Sequence, residues 1–168
     1  QKFDYLVEMD ADGSHRAEDL PKLIAEATAH ELVIGSRWVF GGSVQNWPAY
    51  RLALSRGGNA YAKFMLGSKI KDMTAGFRVY QAQLIERLHL EDLAAHGYSF
   101  QIEMTRKCER IGASIKEVPI TFVEREHGVS KMSRSIVLEA MWLVTKLGLK
   151  RMLGIDRHSD LNKVTRVN

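Results

Sequence analysis

The sequence contains a single cysteine, Cys108, so an internal disulfide is impossible and a scaffold held by disulfides is excluded. Its three prolines and thirteen glycines among 168 residues rule out a collagen-like or linker-like composition. The apolar runs are far shorter than the ~20 residues that cross a bilayer, and no segment has the pattern of a secretory signal peptide. We therefore expect a globular chain in a reducing compartment, with Cys108 as a packing residue rather than a nucleophile.

Charge is distributed unevenly along the chain. Residues 1–124 carry 15 Lys and Arg against 16 Asp and Glu, whereas residues 125–168 carry nine against four, and the total is +4 at pH 7. A basic C-terminal segment suits phosphate, nucleic acid or an anionic membrane surface, although a solvated helix face has the same composition. The sequence has no zinc-site spacing, no P-loop and no base-stacking pattern among its tryptophans. We therefore expect no nucleic-acid partner.

Apolar periodicity predicts strands that alternate with helices, which is typical of a layered α/β domain. The expected strands span residues 3–9, 31–35, 76–80 and 114–124. The expected helices span residues 20–29, 50–66, 81–88, 99–111 and 133–153. Asp19 is the expected N-cap of the first helix, Gly67 ends the second, and Pro119 marks a sheet edge or a bulge. Residues 38–48 have no period and are expected to form a loop.

Two aspartates, Asp10 and Asp12, follow the first strand, at the edge where open α/β sheets place their ligands. Their carboxylates can converge on one Mg²⁺ or Mn²⁺ ion, whose other positions go to substrate phosphates. An EF-hand loop beginning at Asp10 would need Gly and Glu at the positions that His15 and Pro21 occupy. The remaining alternative is a polar turn, in which the aspartates accept hydrogen bonds from backbone N–H groups.

Further charged residues stand where they could line the same cleft. Asp72 precedes a strand and could act as a base or electrostatic group, or simply begin a turn. Glu103 lies in the first turn of a helix, where favourable pairing with the helix dipole is the alternative. The loop of residues 125–131 offers an arginine and a lysine as a clamp for phosphate oxygens. Other cations, each of which could instead be a plain surface residue, are Arg37, Arg51 and Arg56.

Taken in their order along the chain, several short segments resemble the family 2 glycosyltransferases, and more narrowly the dolichol- and polyprenol-phosphate mannose synthases. The segments are residues 9–15, 35–37, 41–42, 55–60, 72–78, 97–104, 117–125 and 128–131. Each is weakly specific alone, but the ordered set extends over nearly the whole chain up to about Leu153. The resemblance implies a GT-A-type fold, in which a mixed sheet is flanked by helices.

The resemblance also implies an activity and a set of roles. The activity is inverting transfer of mannose from GDP-mannose to a polyprenyl phosphate, with Mg²⁺ or Mn²⁺ as cofactor. The implied metal contacts are Asp10, Asp12 and Ser14, and the implied catalytic residues are Asp12, Asp72 and Arg125. The implied substrate-binding residues are Arg37, Arg51, Arg56, Glu103, Arg125 and Lys131.

Two alternatives to this activity stay open. A related enzyme could pass glucose or another sugar to a lipid phosphate, and a module that binds lipid or phosphate without turnover could keep the same fold. We expect residues 1–132 to form the metal- and acceptor-site core, residues 133–154 an amphipathic helix, and residues 155–168 a tail. In the family a nucleotide-binding half precedes the D-x-D motif, to which Asp10 and Asp12 correspond here. Because that motif lies near residue 10 here, we expect the C-terminal part of such a domain.

The last predicted helix offers a route to the membrane in which a polyprenyl phosphate resides. Lys146, Lys150 and Arg151 add cations near its C-terminal end, which suits a helix lying at an anionic interface. We expect a peripheral protein at the cytoplasmic face, bound to the membrane surface or to a membrane-anchor protein or domain. One alternative is a helix packed on the sheet, and another is a helix with one stripe on the domain and a second stripe on lipid. The apolar face in question consists of Ile136, Val137, Ala140, Met141, Leu143, Val144 and Leu147.

Overall fold

The computed structural model describes residues 3–88, 90, 98–124 and 134–155. Its strands are β1 (Tyr5–Glu8), β2 (Leu32–Ser36), β3 (Ser43–Gln45), β4 (Arg78–Gln81), β5 (Ile115–Pro119) and β6 (Thr121–Val123). Its helices are α1 (Leu20–Ala27), α2 (Ala49–Leu66), α3 (Ala82–Arg87), α4 (Tyr98–Arg110) and α5 (Arg134–Met152). A short 3-10 helix, Ala17–Asp19, precedes α1. The alternation of strands and helices that the sequence predicted is confirmed.

Four strands form a mixed sheet in the order β1-β4-β2-β5. Strand β4 runs antiparallel to both β1 and β2, whereas β2 and β5 are parallel. The carboxyl ends of β1, β2 and β5 therefore meet the amino end of β4 at one edge of the sheet. This edge is called the carboxyl edge below, and it is where ligands bind in open α/β sheets.

Helices cover both faces of this sheet. The central strand β2 is buried along its whole length, and its side chains alternate between the two faces. Leu32 and Ile34 pack in a core with Ala62 of α2 and Ile102 of α4. Val33 points to the other face and packs in a second core that includes residues of α1. This mixed sheet flanked by helices is what the resemblance implied, and it is consistent with a GT-A-type fold.

Two predicted segments differ in detail. The loop expected over residues 38–48 contains β3, which pairs in parallel with β6 in a second, two-stranded sheet. A strand of three residues is too short to give a periodic signal. The extended segment over residues 114–124 is divided into β5 and β6, and Pro119 ends β5 at the edge of the main sheet. The prediction of an edge at Pro119 is confirmed. Proline is tolerated there because it lacks the N–H that an inner strand position needs.

The helix ends confirm both predictions of position, for Gly67 and for Asp19. Gly67 terminates α2 with a left-handed φ of 64°, a conformation that glycine adopts without strain. Asp19 occupies the N-cap position of α1, but its side chain makes no capping hydrogen bond. It instead accepts a hydrogen bond from the N–H of Thr121 at 3.2 Å and pairs with Lys22 at 2.8 Å. Asp19 therefore ties the start of α1 to β6.

The prediction that Cys108 is a packing residue is confirmed. Its side chain is fully buried in the core beside α2 and α5. Burial raises the pKa of the Cys108 thiol to about 12, so the thiolate needed for nucleophilic chemistry is strongly disfavoured at neutral pH.

Helix α5 packs against α2 and α4 through the apolar face that the sequence predicted. Val144 is buried there, and Tyr61 of α2 and Thr145 share a hydrogen bond between their hydroxyl groups at 2.7 Å. The inner face of α5 is therefore packed against the rest of the domain, as both alternative interpretations of this helix expected. A different set of apolar side chains is exposed on the outside: Leu138, Trp142, Leu149 and Met152. None of the helices in the described ranges is long and apolar enough to cross a membrane.

Candidate active site

The loop that follows β1 carries the predicted metal residues and is held by its own hydrogen bonds. Oδ1 of Asp12 accepts a hydrogen bond from the N–H of Ser14 at 3.0 Å, which is the polar turn considered above. The carbonyl of Ser14 accepts a hydrogen bond from the N–H of Val123 at 3.0 Å, so the loop is fastened to β6. A carboxylate offers about four lone-pair sites, so this turn is compatible with a further ligand on Asp12.

His15 supports the same loop, although the sequence motifs did not single it out. Its Nδ1 accepts a hydrogen bond from the N–H of Asp10 at 3.1 Å. Its ring packs between Phe77 and Phe122, at centroid distances of 5.1 and 5.2 Å. Burial lowers the pKa of His15, against the opposing effect of Asp10. A neutral imidazole whose Nδ1 is the acceptor fits this environment.

Three oxygen-bearing side chains of this loop fit a hard divalent cation. The Asp10 side chain is 63% exposed, and Asp12 lies two residues further on. Oγ of Ser14 is buried and has no hydrogen-bond partner within the described residues. Oxygen ligands of this kind suit Mg²⁺, which keeps several positions for water and phosphate. Across the described ranges no group of three or more His, Cys, Asp or Glu could hold a metal, so these residues supply only part of a coordination shell.

Arg37 and Asp72 form a buried ion pair at the carboxyl edge. Oδ2 of Asp72 accepts hydrogen bonds from the backbone N–H of Arg37 at 2.9 Å and from its Nε at 2.8 Å, and Oδ1 accepts one from Nη2 at 2.6 Å. Glu117 of β5 accepts a hydrogen bond from the N–H of Asp72 at 3.0 Å. The sequence predicted that Asp72 faces the cleft, whereas its side chain is 0% exposed and bound to Arg37. The geometry therefore gives Asp72 the role of positioning the guanidinium.

Asn59 of α2 is a second support that the sequence did not reveal. Its Nδ2 donates to Oγ1 of Thr74 at 3.1 Å, and its Oδ1 accepts a hydrogen bond from the N–H of Met73 at 2.8 Å. Thr74 Oγ1 also accepts a hydrogen bond from Nη2 of Arg37 at 2.9 Å. Asn59 thus joins α2 to the segment that carries Asp72. Its signal in the sequence is only its place in the 55–60 segment, because burial of an asparagine cannot be deduced from its neighbours along the chain.

Aromatic rings surround the guanidinium of Arg37. Its Cζ atom lies within 5.5 Å of three ring centroids, those of Trp38, Trp47 and Phe122. Cζ of Arg51 lies 4.2 Å from the ring centroid of Trp47, and Cζ of Arg56 lies 5.0 Å from that of Trp38. Guanidinium groups stack favourably on aromatic faces. The structure therefore brings the three predicted arginines together around two tryptophans, and this group is called the arginine–tryptophan cluster below.

An apolar cavity of about 680 Å³ lies next to this cluster, between α2 and α5. Among the described residues of its wall, Arg37 is the only charged one. Gly57 and Gly58 give the cavity room on the α2 side, since a Cβ atom on either would meet nothing within 4 Å. Other wall residues are Trp47, Tyr50, Leu54, Val137, Ala140, Met141 and Val144. A space of this size and lining suits an apolar ligand that carries one anionic group.

The remaining predicted residues lie apart from this cluster or outside the described ranges. Glu103 is half-buried on α4, beside the cavity-lining Ile102, and no hydrogen bond or ion pair joins it to the other candidates in the described part of the chain. By contrast, Arg51 belongs to the cluster, where it forms an ion pair with Glu124 at the end of β6. Arg125 and Lys131 lie outside the described residues, so the predicted phosphate clamp stays a prediction.

A second cavity, of about 720 Å³, lies at the C-terminal ends of α2 and α4 and is called the cationic cavity below. Charged residues in its wall are Lys69, Arg106, Glu109, Arg110 and Arg151. Nη1 of Arg151 donates to the carbonyl of Met65 at 3.3 Å, and Glu109 accepts a hydrogen bond from Oγ of Ser68 at 2.8 Å. These contacts satisfy backbone and side-chain groups where helices end.

Comparison with known proteins adds three findings. Residues 2–88 match a family model described as glycosyl transferase family 2. The chain is 50% identical over 147 residues to the undecaprenyl-phosphate mannosyltransferase of Micrococcus luteus, an alignment that covers 88% of this chain and 60% of that protein. It is 49% identical over 156 residues to the polyprenol monophosphomannose synthase of Mycolicibacterium smegmatis, covering 92% of this chain and 59% of that protein. The chain thus spans about three fifths of the length of these relatives.

Proposed function

The chain belongs to glycosyl transferase family 2, and from that premise we propose that the protein transfers mannose from GDP-mannose to a polyprenyl phosphate. The observation that carries the proposal is the apolar cavity with Arg37 in its wall, and Arg37 lies near the loop of Asp10 and Asp12 because Arg37 and His15 both contact the ring of Phe122. The names of both relatives, which refer to mannose and to a polyprenyl acceptor, support the choice of sugar and acceptor.

A polyprenyl phosphate has the two properties that this region complements. Its hydrocarbon tail gains roughly 25 cal/mol for each Å² of apolar surface that leaves water, which an apolar wall can supply. Its phosphate is an anion that guanidinium groups bind well. Within the described residues, ion pairs join Arg37 to Asp72 and Arg51 to Glu124, and Arg56 adds a third guanidinium group beside Trp38. These guanidinium groups favour an anionic headgroup there, and the predicted clamp of residues 125–131 would add to it.

The proposed reaction is a displacement at the anomeric carbon of mannose. An oxygen of the acceptor phosphate forms a bond to that carbon, the bond from the carbon to the diphosphate breaks, and GDP leaves with the electron pair. The acceptor phosphate is already anionic at pH 7, so no strong general base is needed. The residues have instead to hold two phosphate-bearing substrates together and to stabilise charge on the departing diphosphate.

Asp10 and Asp12, with Ser14 as a neutral oxygen, would hold the Mg²⁺ or Mn²⁺ ion. When bound, the metal supplies positive charge that offsets the charge of the diphosphate. His15 keeps the backbone of Asp10 in place through its Nδ1 and favours the neutral state, so it adds no competing cation. Asp72 acts on substrate only through Arg37 in this account, and we assign it a positioning role.

The function is tested by incubating the protein with radiolabelled GDP-mannose and undecaprenyl phosphate in detergent, then counting the label extracted into organic solvent. We expect labelled lipid that disappears with EDTA and returns with Mg²⁺ or Mn²⁺. Label transferred from UDP-glucose but not from GDP-mannose would replace the proposed sugar with glucose. Absence of glycolipid with every donor, from protein that is folded by circular dichroism, would contradict the enzymatic function.

Substitution of Asp12 tests the metal assignment within that assay. Asp12→Asn retains an oxygen that can accept the N–H of Ser14, so the turn is preserved while one negative charge is lost. We expect transfer at limiting Mn²⁺ to fall about 100-fold, which corresponds to ~2.7 kcal/mol of transition-state stabilisation. Asp4→Asn, at the exposed start of β1, is the matched control and should leave transfer unchanged. Normal turnover by Asp12→Asn would remove Asp12 from the metal site.

We propose in addition that the outer face of α5 contacts the membrane surface. Its exposed apolar side chains, Leu138, Trp142, Leu149 and Met152, are between 50% and 70% exposed. Nζ of Lys146 lies 4.8 Å from the ring centroid of Trp142, and Lys150 is exposed near the end of the helix. Exposed apolar side chains mixed with cations favour an interfacial helix. The apolar face that the sequence singled out packs on α2 and α4, so the proposed contact corresponds to the alternative of one stripe on the domain and another on lipid.

Vesicle co-sedimentation tests this contact. Binding should increase with the fraction of anionic lipid, decrease with salt, and weaken when Lys146 and Lys150 are both replaced by Glu. Arg151 is left intact, because it donates to the carbonyl of Met65 and its loss would also disturb the end of α2. Binding that is insensitive to all three changes would move the membrane contact to another surface.

A further inference from the structure

The arginine–tryptophan cluster contains three buried nitrogen atoms without a hydrogen-bond acceptor in the described part of the chain. They are Nε1 of Trp38, Nε1 of Trp47 and Nε of Arg51. Buried polar groups nearly always have a partner, and a buried donor without one costs about 1–3 kcal/mol. An indole nitrogen is a donor only, so nothing but an acceptor can satisfy it. Three such donors in one cluster indicate a ligand rich in acceptor atoms.

The charges around these donors select an anionic acceptor. Cζ of Arg37 lies 5.4 and 5.5 Å from the ring centroids of Trp38 and Trp47, and the two rings lie 6.5 Å apart. Cζ of Arg51 is 4.2 Å from the Trp47 centroid. Positive charge and N–H donors therefore occupy the same small volume. A phosphate group, with several acceptor oxygens and negative charge, has the chemistry that this combination recognises.

The position of Trp47 distinguishes between the two phosphate-bearing substrates. Trp47 and Arg37 both line the apolar cavity, whereas Trp38 does not. A ligand whose tail fills that cavity and whose headgroup reaches Arg37 therefore brings its phosphate beside Trp47. A nucleoside diphosphate has no hydrocarbon tail to place there.

Resting on the proposed function, we propose that the indole N–H groups of Trp47 and Trp38 bind the phosphate of the polyprenyl acceptor and determine its selection over the free prenyl alcohol. The alcohol offers one neutral acceptor oxygen where the phosphate offers several charged ones, so it cannot pair both indole donors and Arg37 at once, and a site rejects ligands that leave its buried donors unpaired. The aliphatic cavity wall binds the tail of either molecule, so discrimination has to come from the headgroup. Two neutral donors add to that discrimination without increasing the positive charge of the cluster.

Indole nuclear magnetic resonance provides the test, because the chain has only three tryptophans. The three ¹⁵N-labelled indole signals are assigned with Trp38→Phe, Trp47→Phe and Trp142→Phe, and the probes are dimethylallyl phosphate, dimethylallyl alcohol and GDP. We expect dimethylallyl phosphate to shift the indole proton signals of Trp47 and Trp38 downfield and saturably, while Trp142, on the outer face of α5, stays unchanged. The alcohol, whose tail can bind the same cavity wall, should not produce this downfield shift of the Trp47 and Trp38 signals. A shift produced by GDP and not by dimethylallyl phosphate would assign the donors to the nucleotide and overturn the proposal, as would the absence of any shift.

The Trp47→Phe variant adds an affinity measurement that keeps the aromatic face and removes only the N–H. Affinity for dimethylallyl phosphate should decrease about tenfold, the size expected for a lost hydrogen bond to a charged group. Trp142→Phe is the matched control and should bind within about twofold of the unsubstituted chain. Equal affinity in Trp47→Phe would contradict the proposal. These measurements need no sugar transfer, so the indole assignment can fail while the transferase assay succeeds, and the reverse.

Discussion

The apolar cavity and the cationic cavity have nearly equal volumes, about 680 and 720 Å³, and opposite linings. The apolar cavity has Arg37 as its one charged residue in the described wall and adjoins the carboxyl edge of the sheet. The cationic cavity includes Ile115, the first residue of β5, so it lies at the opposite edge of the sheet. Two of its charged residues, Arg151 and Glu109, form hydrogen bonds with groups at the ends of helices. Volume alone would not distinguish them. The chemistry of the wall and the nearby loop of Asp10 and Asp12 are our reasons for proposing that the acceptor binds in the apolar cavity.

The largest effect expected from this comparison concerns Arg37. Arg37→Ala leaves the carboxylate of Asp72 buried without its partner, so we expect a loss of about 3–5 kcal/mol in the free energy of unfolding and no measurable transfer. Arg37→Lys keeps the charge but not the two-pronged geometry, and it should retain the fold while reducing kcat/KM about 100-fold. Urea unfolding and initial rates measure the two quantities. An unchanged kcat/KM in Arg37→Lys would show that the guanidinium group of Arg37 takes no part in the reaction.

The next effect concerns the support that Asn59 gives to the segment of Asp72. Asn59→Ala leaves the N–H of Met73 without its acceptor, and we expect a cost of about 1–3 kcal/mol in the free energy of unfolding. Because Thr74 also loses a partner, the transfer rate should decrease as well, but less than in Arg37→Lys. Gln83→Ala, at an exposed position of α3, is the control. A denaturation midpoint equal to that of the control would show that Asn59 does not hold the site together.

A cavity-filling substitution is expected to change acceptor binding selectively. A Cβ atom at Gly58 meets nothing within 4 Å, so Gly58→Leu should extend into the apolar cavity without straining α2. We expect the KM for undecaprenyl phosphate to rise about tenfold while the KM for GDP-mannose stays constant. Stability should be equal or higher, since glycine inside a helix costs ~0.5–1 kcal/mol relative to alanine. The control is Ala60→Leu, at a position that is exposed on α2 and outside both cavity walls. If the two variants have the same KM for undecaprenyl phosphate, the tail binds elsewhere.

The smallest effect is expected at the cationic cavity. Arg106→Ala and Arg110→Ala remove cations from a wall that lies at the opposite edge of the sheet from Asp10 and Asp12. Transfer should stay within about twofold of the unsubstituted protein, a difference of less than 1 kcal/mol. A loss of transfer comparable to that of Arg37→Lys would contradict this expectation and indicate that the cationic cavity is part of the active site.

Much of the carboxyl edge was predictable because it depends on local patterns. Strand periodicity and the polar turn after β1 place Asp10 and Asp12 at a strand end, and Gly67 marks the end of α2. The ordered short segments led to the family that the comparisons confirm. Each of these signals lies within a few residues of the feature it describes.

The contacts around Arg37 were not predictable for the opposite reason. Arg37 and Asp72 are 35 residues apart, and Asn59 meets Thr74 across 15 residues, so no local pattern links them. Helix α5 shows a second limit, since apolar residues occur on its inner and outer sides alike and periodicity could not tell which side packs. The burial of Asp72 was not predictable either, because an aspartate in a polar segment gives no sign of being fully buried.

We propose above all that the acceptor binds in the apolar cavity, and not in the cationic cavity or on the outer face of α5. A prenyl phosphate that carries a photoreactive diazirine in its tail tests this directly, with the labelled residues identified by tandem mass spectrometry. We predict labels on cavity-wall residues such as Leu54, Ala140 and Met141, and loss of that labelling when undecaprenyl phosphate is added in excess. Labels confined to Leu149 and Met152, or to the residues around Lys69 and Arg106, would contradict it.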